Sequence, residues 1–141
     1  RNPATSALNA KFSLPYAVSR GLVNGAVLLD HFEDHALHDP EVTRIMGLIR
    51  MEPHDDDAND YGAEVVVTLS DGRVLRQSVA APLGRGPETP LPQDMLEAKF
   101  GDCARASLTE TGAAEVFALL MRLDQLPRAA DLTAAIAAAT R

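Results

Sequence analysis

From Ala63 to Ala80 the chain reads as a β-hairpin. Ala63–Ser70 is rich in β-branched residues, Asp71-Gly72 is a strong two-residue turn signal, and Arg73–Ala80 is the return strand. On both sides of this segment the apolar residues fall at helical spacing instead. A lone hairpin is marginal in water, so this one needs a further strand or a helix layer. Leu48–Glu52 is the candidate third strand. The pattern gives an α+β fold class: helices, a small antiparallel sheet built on a hairpin of about 63–80, then C-terminal helices.

The helical segments carry their own punctuation. Ser13 can cap a helix whose first turn holds Pro15, and Gly25 can end it. Leu14, Ala17, Val18, Leu22 and Gly21 form the expected buried stripe of that helix. Leu28–Asp34 reads as a short helix or turn. Asp39-Pro40-Glu41 opens another helix, through Val42, Ile45, Met46 and Ile49. Beyond a Gly/Pro-rich loop over Pro82–Pro90, Gln93–Leu108 carries Met95, Leu96, Phe100, Cys103 and Ala104 on one stripe. Ala113–Leu126 carries Val116, Phe117, Leu119, Leu120 and Leu123, and Ala129–Ala139 is a last, alanine-rich helix after Pro127.

With 141 residues, the chain is expected to form a single α+β domain over 1–141 with a core of its own. Its net charge of −7 argues against a nucleic-acid partner. The charge is uneven: residues 1–29 hold no acid and carry +3, whereas 30–60 carry −8. An anionic ligand is therefore easier to hold beside the first segment than beside the second. No apolar run approaches the ~20 residues of a membrane helix, and no signal-peptide pattern is visible. The single cysteine, Cys103, excludes an internal disulfide framework and suits a cytoplasmic location. Its place on an apolar stripe makes it a buried, inert thiol.

Few residues suggest chemistry by type alone. His31, His35 and His38 stand at i, i+4 and i+7, as zinc ligands on one helix face do. Pro40 biases Asp39 away from helical geometry, so one helix through all three is not expected, and they read as a solvated polar face with no metal. Asp55-Asp56-Asp57 with Asn59 and Asp60 lacks the glycine and final glutamate of a calcium loop and reads as a solvated acidic loop. Gly84-Arg85-Gly86 reads first as a tight connection and second as an anion-contacting loop. Tyr16 lies in the acid-free segment between Lys11 and Arg20, and its hydroxyl could donate to a carboxylate or stay in water beside a half-buried ring.

An ordered set of segments changes that balance. They are Ala10-Lys11-Phe12-Ser13-Leu14-Pro15-Tyr16-Ala17-Val18 continuing to Gly25, Asp39-Pro40-Glu41-Val42, and Val65-Val66-Val67-Thr68-Leu69-Ser70-Asp71-Gly72-Arg73. Pro82, Gly84, Pro87, Pro90-Leu91, Lys99-Phe100 and the stretch Leu119–Leu126 follow in order. Together they resemble the C-terminal part of the MmgE/PrpD family, which includes 2-methylcitrate dehydratase, cis-aconitate decarboxylase and iminodisuccinate epimerase.

The resemblance implies a cofactor-free, two-domain lyase or isomerase, a homodimer when complete, acting on a small di- or tricarboxylate. A hydro-lyase of the 2-methylcitrate dehydratase kind is the first expectation. This chain would be most of the smaller lid domain, without its opening segment and without the large helical domain that carries most catalytic groups. The family tyrosine corresponds to Tyr16, which is thereby the expected catalytic residue, with Ser13 and Lys11 as expected substrate-binding residues. The three histidines match no family motif. A lid alone is expected to be inactive. The alternative of another class is a free-standing α+β protein-interaction or oligomerisation module.

Overall fold

The computed structural model describes residues 6–53 and 61–141, and the chain divides into two compact units. One is helical and joins Arg1–Met51 with Ala98–Arg141; the other is Glu52–Glu97 and holds the hairpin. Among the described residues the fold is α+β, with seven α-helices and one two-stranded antiparallel sheet. None of these helices is long and apolar enough to cross a membrane.

The helical unit opens with α1 (Ala7–Lys11) and α2 (Leu14–Asn24). Ser13 caps α2 by accepting the Tyr16 N–H at 3.3 Å, Pro15 sits in the first turn, and Gly25 closes the helix at φ 75°. A 3₁₀ turn (Leu29–Phe32), α3 (Asp34–Leu37) and α4 (Pro40–Leu48) follow. Asp39 caps α4, its Oδ1 accepting the N–H groups of Glu41 at 2.9 Å and Val42 at 3.2 Å. Pro40 begins a new helix, so His31, His35 and His38 fall on three separate local geometries rather than one helical face.

The buried face of α2 differs from the expected stripe. Leu14 is 64% exposed and Leu22 50%, whereas Tyr16, Ser19 and Arg20 are buried. A mainly polar strip is tolerated inside because each member is satisfied. Ser19 Oγ donates to the Pro15 carbonyl at 2.7 Å, and Arg20 bonds to partners on α2, α3 and the α4 cap. Around this strip Ala10, Tyr16, Leu37 and Val42 form a small core, with Val23, Phe32 and Met46 packed against it.

The rest of the unit is built from the end of α5 (Gln93–Ala104), α6 (Glu110–Leu120) and α7 (Ala129–Ala139). Leu108, Ala113, Val116 and Ala139 form its core. Helices α6 and α7 approach closely enough that a Cβ on Gly112 would lie 2.3 Å from the Ala139 Cβ. The Thr109 N–H reaches the Ala139 carbonyl at 2.9 Å and the Arg141 N–H the Ser107 carbonyl at 3.1 Å, tying the chain end to the start of α6. Cys103 is exposed, contrary to the expected buried thiol. Helix α5 has no fully buried residue; of its expected apolar stripe Phe100 and Ala104 pack against this core, whereas Met95 and Leu96 are exposed.

In the second unit β1 (Ala63–Thr68) pairs with β2 (Val74–Val79), from Ala63↔Val79 to Thr68↔Val74. Pairing continues to Leu69, whose N–H donates to the Arg73 carbonyl at 2.8 Å. The connection is thus three residues long, Ser70-Asp71-Gly72, rather than the expected two. The Gly72 N–H closes a turn on the Leu69 carbonyl and Gly72 takes φ 85°, which is a turn followed by a glycine bulge. Leu48–Glu52 forms no third strand, and the described sheet has two strands. The register gathers Ala63, Val65, Val67, Leu75, Gln77 and Val79 on one face, with Glu64, Arg76 and Ser78 among those on the other. The acidic loop expected at 52–60 lies outside the described residues from 54 onward.

Candidate functional site

The helical unit carries an open cleft of about 480 Å³ where the C-terminal half of α2 faces the 3₁₀ turn, α3 and the start of α4. Arg20 and Asn24 enter from α2, Asp30 and His31 from the 3₁₀ turn, His35 from α3, and His38 and Asp39 from the α4 cap. These positions span a proline and two helix starts, so no single periodicity links them.

Arg20 is the hub. It is only 3% exposed, and its guanidinium makes four hydrogen bonds. Nε donates to the Tyr16 hydroxyl at 3.1 Å, and Nη1 donates to Asn24 Oδ1 and Asp39 Oδ2, each at 3.2 Å. Nη2 donates to the Ala36 carbonyl. A buried guanidinium without partners would cost several kcal/mol, so this cation is tolerated because its fork is filled. Its positive end also stands 5.4 Å from the Tyr16 ring centroid.

Tyr16 lies behind the cleft wall. It is fully buried, 5.9 Å from the Phe32 ring, and its hydroxyl donates to the His31 carbonyl while accepting from Arg20. Ser13 is joined to it as the α2 cap. Lys11 is exposed in the last turn of α1. The structure brings Tyr16 and Ser13 together at the start of α2, and none of Lys11, Ser13 and Tyr16 is among the residues lining the cleft.

His31 is held from two sides. Its carbonyl takes the Tyr16 proton, and its Nδ1 accepts the Leu28 N–H at 3.1 Å. The neutral ring therefore carries its proton on Nε2. Partial burial, followed by the Arg20 charge, pushes this imidazole below its ordinary pKa, while Asp30 and Asp102 pull weakly the other way. Both acids are engaged elsewhere. Asp30 lies 3.4 Å from His35 Nε2, and Asp102 accepts the Leu29 N–H at 2.8 Å and pairs with Arg105 at 3.0 Å. Asp39 is held below the usual carboxylate range, first by the Val42 N–H and then, against desolvation, by the Glu41 N–H and Arg20. Among the described residues no three His, Cys, Asp or Glu side chains converge as a metal set.

In the hairpin unit the Gly84-Arg85-Gly86 loop bonds internally. The N–H groups of Gly84 and Arg85 go to the Thr89 and Pro82 carbonyls, and the Arg85 guanidinium stacks 3.2 Å from the Tyr61 ring centroid. That favours the tight connection over a backbone anion cradle.

The sequence of this chain is similar to that of known proteins. The family model of the MmgE/PrpD C-terminal domain matches residues 1–125. The chain belongs to the MmgE/PrpD family. Over 98 residues it is 31% identical to the cis-aconitate decarboxylase-like protein oryM of Aspergillus oryzae, covering 67% of this chain and 20% of that protein. The chain thus spans about a fifth of the length of this curated relative. The resemblance read from the α2 motif, the Asp39-Pro40 cap and the hairpin turn is a true relationship. The match to the MmgE/PrpD C-terminal domain ends at residue 125, ahead of the whole of α7 (Ala129–Ala139). Sequence reasoning singled out Tyr16 but not the bonds of Arg20, because nothing in a single sequence pairs Arg20 with Ala36 and Asp39.

Proposed function

We propose that this chain is the C-terminal, cleft-closing domain of a cofactor-independent lyase or isomerase for small di- or tricarboxylates. The observation that carries the reading is the family match over residues 1–125, joined to a relative named for a decarboxylase of cis-aconitate, a tricarboxylate. Electrostatics agree with it. Residues 1–29 hold no acid, and Lys11 stands beside the amino-terminal end of α2, where the helix dipole favours an anion. In the proposed enzyme, abstraction of a proton next to a carboxylate precedes loss of water, loss of CO₂ or reprotonation, with the acid and base supplied by the rest of the polypeptide.

Within that reading Lys11 and Ser13 meet a substrate carboxylate, and Tyr16 donates to it. For this the Tyr16 proton exchanges the His31 carbonyl for the substrate, which couples closure to the Arg20 network. The complete protein is proposed to be a cytoplasmic homodimer.

The test is turnover by the complete open reading frame containing this chain. 2-Methylcitrate, cis-aconitate and iminodisuccinate are supplied in turn, each followed by its own product. The complete protein converts one of them, and the chain alone converts none. If the complete protein leaves all three and related polycarboxylates untouched, the reading is abandoned.

A further inference from the structure

His31 is held at two points on the cleft wall. Its carbonyl is fixed by Tyr16, its Nδ1 by the Leu28 N–H, and its ring lies among the residues lining the cleft. Among the described residues no group is bonded to its Nε2. The polar groups around it have partners: Arg20 pairs with Asp39, Asp30 lies 3.4 Å from His35 Nε2, and Asp102 pairs with Arg105 and accepts the Leu29 N–H.

We propose that His31 is a ligand-binding residue of this cleft, presenting Nε2–H to a substrate or effector carboxylate. The carboxylate class rests on the function proposed above; the role of His31 rests on the geometry alone. Of the two acids of the cleft, Asp39 is paired with Arg20 and repels an entering anion less than a free carboxylate would, and Asp30 lies 3.4 Å from His35 Nε2. A bound carboxylate favours the imidazolium, so His31 binds ligand and proton together. His35 and His38 also line the cleft.

The test uses the full chain and tricarballylate, an unreactive tricarboxylate, followed through the imidazole nitrogens by NMR. In its absence His31 is the Nε2–H tautomer and titrates below the ordinary histidine value. Tricarballylate shifts His31 Nε2 and moves its titration upward. His31→Asn keeps an acceptor near the Nδ1 position for the Leu28 N–H but has no donor at Nε2, so the chain stays folded and binds tricarballylate about tenfold more weakly. His31→Gln, which reaches the Nε2 position, recovers part of the loss. The proposal is overturned if tricarballylate moves only His35 or His38, if no imidazole responds, or if His31→Asn binds as tightly as the parent. Should His31→Asn unfold, the parent's own His31 response decides. This titration can fail while the complete enzyme turns over substrate, and the converse also holds, so the two readings are tested apart.

Discussion

Arg20 Nε donates to the Tyr16 hydroxyl from one helical turn away, and this sets the direction of the tyrosine proton. With its oxygen accepting from the cation, the hydroxyl hydrogen is turned toward the His31 carbonyl. An aromatic ring, a guanidinium and a backbone carbonyl thus act as one unit joining α2 to the 3₁₀ turn.

Tyr16→Phe removes the middle of that unit. It leaves a buried guanidinium N–H and a carbonyl without their partner, so the chain loses about 1–3 kcal/mol of stability by urea unfolding while keeping its helical content. In the complete enzyme the same change slows turnover by roughly one to two decades if the hydroxyl meets substrate in the transition state. Unchanged kinetics with lowered stability assign Tyr16 to architecture alone.

Asp39→Asn separates charge from capping, since an amide oxygen still accepts the Glu41 and Val42 N–H groups. The Asp39 carboxyl is held down in the folded chain, so its stabilisation is present above the ordinary carboxylate value and lost as pH falls through the depressed one. Urea midpoints measured against pH show the parent more stable than the variant near neutrality. The two curves converge in strong acid. A gap that persists there would mean the charge is not what matters.

His31 contributes with the same sign. Its folded value lies below its unfolded one, so stability is full above the unfolded value, about 6.5, and declines as pH falls through the folded value. His31→Asn has a flatter stability profile between about pH 7.5 and 5 than the parent.

Two glycine substitutions give opposite results. At Gly112 a methyl group would meet the Ala139 Cβ at 2.3 Å and its Cα at 2.8 Å, so Gly112→Ala overpacks the α6–α7 contact and costs about 1–3 kcal/mol. Gly47 in α4 has open space around it, so Gly47→Ala gains about 0.5–1 kcal/mol from helix propensity. Thermal melts of the pair distinguish the two sites.

Cys103 is exposed, so a thiol reagent labels it in the folded chain at close to the rate of the unfolded one. Strong protection of the native protein would place it inside instead.

Local signals in the sequence located most elements. Ser13, Gly25 and Asp39-Pro40 each punctuate a helix through bonds to their own neighbours, so one-dimensional reading finds them; the Thr109 cap of α6 escapes it, and that helix begins three residues earlier than expected. Asp71-Gly72 located the turn, but the glycine bulge lengthened it by one residue because Leu69 and Arg73 still pair. Apolar spacing failed at α2. It assumes that methyl groups decide which face turns inward, and in α2 a filled set of hydrogen bonds around Arg20 decides instead. The cleft was illegible for a related reason: its wall is assembled across the breaks at Glu33 and Asp39, where no periodicity carries over.

The bonds around Arg20 have a mechanical consequence. Methyl groups in a core exchange neighbours at little cost, so a helix packed on them can roll about its axis. A guanidinium held at Tyr16, Asn24, Ala36 and Asp39 cannot, because rotating α2 would break directional contacts together. The network therefore works as a rotational lock: it keeps Leu14 and Leu22 turned outward, a bearing their own hydrophobicity would not choose.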